Sequence, residues 1–179
     1  YVDAWAASQA FISWLQISKS QGAKANERAG IFEDATQKLL DSSSWRPSDS
    51  LRSYRQRTLF CEGKAVTDID AIGERDGELL LVSCKSLPYT LGYDRGDYKE
   101  VRNAQSLVCD AVKNWKSNVR LFASRQVGDN WDFRAFSKIH ALVCTPFAVY
   151  SSDGEVLSEA FSGLRVCSSI AELERWLNW

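Results

Sequence analysis

Hydrophobic positions recur along this chain at two spacings, and the change from one to the other marks where the elements change. From Asp3 to Ser18, Trp5, Ala6, Phe11, Ile12, Trp14, Leu15 and Ile17 return at helical spacing with no Pro or Gly between them, which predicts an opening helix. After Gly22 a polar stretch leads into Glu27 to Leu40, where Ile31, Phe32, Ala35, Leu39 and Leu40 form the apolar side of a second amphipathic helix. Ser42 to Ser50 is rich in Ser, holds a Pro and reads as a loop. Ala65 to Gly73 and Leu79 to Lys85 read as two strands around Glu74, Arg75, Asp76, Gly77 and Glu78, and Asp-Gly is a strong signal for a two-residue hairpin turn.

Helical spacing returns from Asp97 to Lys116, with Val101, Ala104, Leu107, Val108, Ala111, Val112 and Trp115 on the predicted buried side. In Asn118 to Ala123, Val119 and Leu121 alternate with polar residues as a strand would. Lys138 to Val149 contains the apolar run Ile139 to Cys144, which suits a buried strand, and Ser151 to Gly154 is turn chemistry. Leu164 to Cys167 gives a last short strand. Ser169 and Glu172 then form a capping box that opens a closing helix through Trp176. Interleaved strands and helices with buried central strands predict an α/β sandwich, a mixed sheet between helices, with no internal repeat.

The length of 179 residues, with 45% hydrophobic and 25% charged residues, suits one globular domain spanning 1–179. A chain that opens on Tyr1 and holds no Met is expected to be an excised domain of a longer protein, whose other parts could carry a sensor. The apolar runs Leu79 to Val82 and Ala141 to Cys144 fall far below the roughly 20 residues needed to cross a bilayer, and no charged-then-apolar leader opens the chain. A cytoplasmic protein with no membrane partner is expected. Five widely spaced cysteines, with no CxxC pair and a single His, speak against both zinc ligation and a disulfide framework. The net charge of −1 removes the argument that a basic protein binds nucleic acid, so any polyanion site must be a local patch.

Two such patches are present. Arg46, Arg52, Arg55 and Arg57 interleave with Trp45 and Tyr54 and are opposed only by Asp49, a pattern that suits backbone gripping or a solvated loop face equally well. Tyr89, Tyr93, Arg95, Tyr98, Lys99 and Arg102 form a second aromatic and basic segment, which either tracks a nucleic-acid backbone or packs on the domain surface.

The hairpin holds the most informative chemistry. With Asp76-Gly77 as its two-residue loop, Arg75 faces Glu78, Asp70 faces Ser83 and Asp68 faces Lys85. Side chains two apart share a face, so two carboxylates, a hydroxyl and an ammonium are expected on one side of the sheet. The bland alternative is a solvated hairpin face with one cross-strand ion pair. Against it, Leu79 to Val82 is apolar on both faces, and a doubly covered strand has no packing reason to end in Ser-Cys-Lys beside two aspartates. The lone His140, inside an apolar run, fits a buried structural role, and no GxxxxGK[ST] loop supports an NTPase.

In motif order, Gly30-Ile31-Phe32-Glu33, Thr67-Asp68-Ile69-Asp70-Ala71 and Leu79-Leu80-Leu81-Val82-Ser83-Cys84-Lys85-Ser86 resemble the core of the PD-(D/E)XK nuclease superfamily. The resemblance runs from Glu27 to about Lys116 and implies a restriction-endonuclease-like three-layer α/β/α sandwich. It also implies a nuclease, DNA favoured, that uses Mg²⁺ or Mn²⁺ in a prokaryotic defence or DNA-processing role. A homodimer is left open. Asp70 matches the family's metal-binding Asp, Lys85 its Lys and Glu33 its helical Glu. Ser83 departs from the pattern, standing where a carboxylate is usual. Asp68 is the expected substitute for that charge, and the carbonyl of Cys84 is a further metal ligand on the family pattern. Ser-Cys-Lys also resembles a variant in some CRISPR-linked nucleases of this fold. A nuclease-like domain without catalysis, binding nucleic acid or a protein, is the alternative that Ser83 keeps open.

Overall fold

The computed structural model describes residues 23–178, so the helix expected over Asp3 to Ser18 lies outside the described residues. The first described element is α1 (Ala23–Asp41), followed by the short α2 (Asp49–Arg52) inside the predicted loop region. Two antiparallel hairpins follow, β1 (Leu59–Cys61) with β2 (Lys64–Thr67) and β3 (Ala71–Arg75) with β4 (Glu78–Cys84). A single-turn α3 (Leu91–Asp94) leads to α4 (Tyr98–Arg125), and β5 (Lys138–Thr145) returns beside β4. The chain ends with α5 (Gly154–Leu157), the small hairpin of β6 (Glu159–Phe161) and β7 (Leu164–Arg165), then β8 (Cys167–Ser169) and α6 (Ile170–Leu177).

The centre is a four-stranded mixed sheet in the order β3-β4-β5-β8, antiparallel between β3 and β4 and parallel elsewhere. Parallel neighbours need a long crossover, and α4 supplies it between β4 and β5. Alternation along β4 divides its side chains between two layers. Leu79 and Leu81 meet Val108, Val112, Trp115 and Phe122 of α4. Leu80 and Val82 meet Leu40 of α1 and Leu173 of α6. The continuous apolar run in β4 is therefore covered on both faces, as expected of a central strand. Among the described residues no helix is long and apolar enough to cross a membrane, and all five cysteines are free.

Several expectations need correction. Ala65 to Gly73 is not one strand. β2 stays with β1, and the chain breaks at Asp68 before joining the main sheet at Ala71. The cause is a competing partner: the Gln56 backbone N–H donates to the Ile69 carbonyl at 2.8 Å, pulling that segment toward Arg55 and away from β4. Asn118 to Ala123 is helix, because Val119 and Phe122 extend the buried stripe of Trp115 by four and seven residues. Leu164 to Cys167 divides between β7 and β8. Ile31 (64% exposed) and Leu107 (59% exposed) sit on solvent faces.

The outer edge of β3 is closed without another strand. The buried Gln37 side chain donates from Nε2 to the Ile72 carbonyl at 3.0 Å and accepts the Ile72 N–H on Oε1 at 2.9 Å. Two residues further along the strand, the Glu74 N–H donates to the Trp45 carbonyl at 3.1 Å. An edge strand so capped offers few free groups for pairing with another chain. The approach is close: a Cβ at Gly73 would lie 2.9 Å from the Trp45 carbonyl oxygen, so only glycine fits there. Trp45 itself, expected in a surface patch, is 1% exposed and packs on Phe161 and Trp176.

Candidate functional site

Asp76 and Gly77 both have positive φ, +53° and +76°, the backbone of a two-residue type I′ turn. That turn fixes the predicted register from Arg75↔Glu78 to Ala71↔Val82. Asp70 follows at the end of the ladder, its N–H donating to the Val82 carbonyl. Its Oδ2 accepts the Cys84 N–H at 2.6 Å and the Ser83 hydroxyl at 3.3 Å. These bonds hold the carboxylate at the C-terminal end of β4, where β3 and β4 part.

Burial pushes the Asp70 carboxyl above the ordinary aspartate range, opposed by the Cys84 N–H bond; the nearby Glu33 carboxylate pushes the same way as burial, and Lys85 and the Ser83 hydroxyl pull against it. Glu33, one turn before Gln37 on α1, is half-buried, and its Oε2 accepts from the Gln56 amide at 3.1 Å. Lys85 leaves the end of β4, where its N–H donates to the Cys144 carbonyl. Its side chain lines a cleft of about 380 Å³ with Ser83, Thr67, Asn114 and Asn118. Glu33, Asp70, Ser83 and Lys85 therefore meet at one corner of the sheet.

Asp68 does not join them. The ladder ends at Ala71↔Val82, so Asp68 never faces Lys85; it is exposed, and it is absent from the charges acting on Asp70. The Cys84 thiol points into the core, where burial raises it well above the usual thiol range, so only its backbone is left for the site.

The predicted basic residues divide. Arg55 is bound into the structure, with Nε on the Asp70 carbonyl at 2.8 Å and its other end on Asp34 at 2.5 Å. Arg52 pairs with Asp41 at 2.9 Å. Tyr93 is buried against Tyr89 and Phe147, which leaves its ring no open face for a base. Arg57, Arg95, Lys99 and Arg102 are exposed and form no ion pair among the described residues, with Arg102 lying over the Tyr98 ring. His140 is half-buried, bonded to Glu78 at 2.9 Å and stacked on Phe161, a structural role. Sequence reasoning missed Gln56 and Asp34, which orient Glu33 and Arg55; neither lies in a motif.

The donor set is made of hard oxygens. Two carboxylates, one raised by burial and by the other's charge, form a place where a divalent cation relieves an existing repulsion. Among the described residues no group of three or more His, Cys, Asp or Glu side chains has metal-holding geometry. Glu33 and Asp70 supply the one or two carboxylates with which a largely hydrated Mg²⁺ is ordinarily held.

The raised Asp70 carboxyl gives a stability prediction. A carboxyl whose folded pKa exceeds its unfolded value binds its proton more tightly when folded, so stability falls as pH rises through that window. Asp70→Asn keeps an oxygen for Cys84 and removes the cost of the buried charge. It should be more stable than the parent at pH 7 in urea unfolding, with the gap narrowing below the carboxylate range. An equal or lower stability at pH 7 would contradict the burial argument.

The chain matches no family model, no curated protein and no solved structure.

Proposed function

We propose that this chain is a metal-dependent nuclease that hydrolyses phosphodiester bonds, with DNA favoured as substrate, in a cytoplasmic defence or DNA-processing role. The observation that carries the reading is the Asp70 carboxylate, fixed by Cys84 and Ser83 where β3 and β4 part, with Glu33 and Lys85 acting on it. The chain order of helix, hairpin, long helix and parallel strand, with helices over both sheet faces, supports a restriction-endonuclease-like sandwich.

In this reading Glu33 and Asp70 hold Mg²⁺ or Mn²⁺, with the Cys84 carbonyl as a further oxygen. A bound ion of this kind neutralises the scissile phosphate and acidifies an attacking water. Asp70 needs no reorganisation, because two hydrogen bonds already fix its orientation. Lys85 lines the cleft, where its ammonium would orient the water and stabilise charge on the phosphorane-like transition state, while only its neutral amine would take the water's proton. The exposed Arg57, Arg95, Lys99 and Arg102 supply phosphate contacts that position a strand.

The test is incubation with plasmid, linear and single-stranded DNA and with RNA, in Mg²⁺ and in Mn²⁺. Cleavage that requires the metal supports the reading, and no cleavage of any substrate overturns it. Ser83 favours a second reading, a nuclease-like domain that binds without cutting, since one carboxylate of the family pattern is missing. Under it, calorimetry shows no Mn²⁺ binding that depends on Asp70, and Ser83→Glu creates metal binding absent from the parent. Under the first, the parent binds Mn²⁺, and Ser83→Glu changes cleavage less than about tenfold, because Glu33 and Asp70 already hold the ion.

A further inference from the structure

A second cavity, of about 650 Å³, opens on the sheet face covered by α1 and α6. Arg75, which contributes to it, ends β3 at the far end from Asp70; five residues of extended chain set the two about 16 Å apart. The volume is that of a small-molecule site.

Its wall joins two chemistries. Arg75 from β3, Arg165 from β7 and Arg175 from α6 converge on it from three elements, opposed within the lining only by Glu172. Glu172 pairs with Arg165, Arg75 makes a long 3.7 Å contact to Asp76 and donates to the Ser44 hydroxyl at 3.4 Å, and Arg175 has no ion pair among the described residues. The guanidinium charge is thus in excess. The other part of the wall is indole: Trp45, with Arg75 lying 4.7 Å above its ring, and Trp176, whose Nε1 donates to the Ser162 carbonyl. The buried Trp45 Nε1 has no hydrogen-bond partner among the described residues, a defect that native interiors rarely tolerate.

We propose that this cavity binds a nucleoside monophosphate, its phosphate held by the arginines and its base against the half-buried Trp176, with the buried Trp45 as the floor beneath Arg75. Guanidinium forks match phosphate oxygens, and indole faces stack planar rings. A bare anion would leave the indole wall unused, and a neutral ring would leave the arginine charge uncompensated. The exposed hydroxyls of Ser44 and Ser162 at the rim suit a ribose. This site shares no residue with the Asp70 cluster and does not depend on the nuclease reading.

The test is titration of the whole chain, in metal-free buffer, with AMP, adenosine and inorganic phosphate, followed by tryptophan fluorescence and calorimetry. AMP should bind at least about tenfold more tightly than either fragment. Arg175→Gln, at an exposed position with no ion pair to lose among the described residues, should weaken AMP about tenfold or more and leave the protein folded, with at most a small fall in Tm from the lost charge in the last turn of α6. Asp70→Ala should leave AMP binding intact, which separates this site from the cleavage site. Absence of AMP binding at millimolar concentration, equal affinity for phosphate or adenosine, indifference to Arg175→Gln, or loss on Asp70→Ala would each overturn the proposal.

Discussion

Asp70→Ala should reduce metal-dependent phosphodiester cleavage by about 100-fold or more, and Lys85→Ala by a similar factor, with both proteins still folded. The expectation follows from where the charges stand. Asp70 is held in one orientation by the Cys84 N–H and the Ser83 hydroxyl. Under the proposed function, removing its carboxylate takes away one of two charged ligands for the ion and leaves Glu33 to hold a divalent cation alone. Under the proposed function Lys85 acts on the phosphate and the water and not on the ion, so its loss should lower turnover and leave Mn²⁺ affinity nearly unchanged. Calorimetry on the two variants distinguishes these roles: Asp70→Ala should lose the Mn²⁺ heat and Lys85→Ala should keep it. Equal cleavage by parent and variants would remove the assignment.

The second large effect is on stability. Gln37→Leu should destabilise the fold by about 3 kcal/mol, lowering Tm by roughly 10 °C in a domain of this length. Leucine fills much of the same space, but it leaves the Ile72 N–H and carbonyl without the partners they have in the parent. Each buried backbone group left unsatisfied costs about 1–3 kcal/mol. Gln37→Glu tests the cause. A glutamate keeps the acceptor but, when ionised, cannot donate to the Ile72 carbonyl, and it buries a charge beside Asp41. Its folded pKa is raised, so its stability should fall as pH rises and recover in acid, where the protonated acid donates again. Urea unfolding of both variants at pH 5 and pH 7 reads the difference. A loss below about 1 kcal/mol in Gln37→Leu would show that water replaces the amide at this edge.

The two predictions meet on α1, where Glu33 and Gln37 lie one turn apart. Glu33 faces the candidate site and Gln37 seals the strand that presents Asp70, so the helix that secures the edge also delivers a charge. This coupling explains why Glu33 reaches the site although it lies on an element packed over the opposite face of the sheet from α4.

Local sequence determined what depends on neighbours in the chain. The helical stripe of α4, the two-residue turn at Asp76-Gly77, the register it imposes from Arg75 to Ala71, and the capping box of Ser169 and Glu172 all follow from residues a few positions apart. The pairing of Asp70 with Ser83 was legible for that reason. Asp68 was misplaced because the register was extended past the point where Gln56 and Arg55, remote in sequence, draw Ile69 away. The closure of the β3 edge by Gln37, the burial of Trp45 and Tyr93, and the meeting of three arginines at one cavity also lay beyond periodicity. Each depends on which elements pack together, and a backbone amide or guanidinium finds such partners only once the sheet has formed. Sequence alone thus determined the elements and the hairpin at the heart of the candidate site; tertiary structure decided which charges share that corner, because hydrogen bonds between segments far apart in sequence set where the ladder ends.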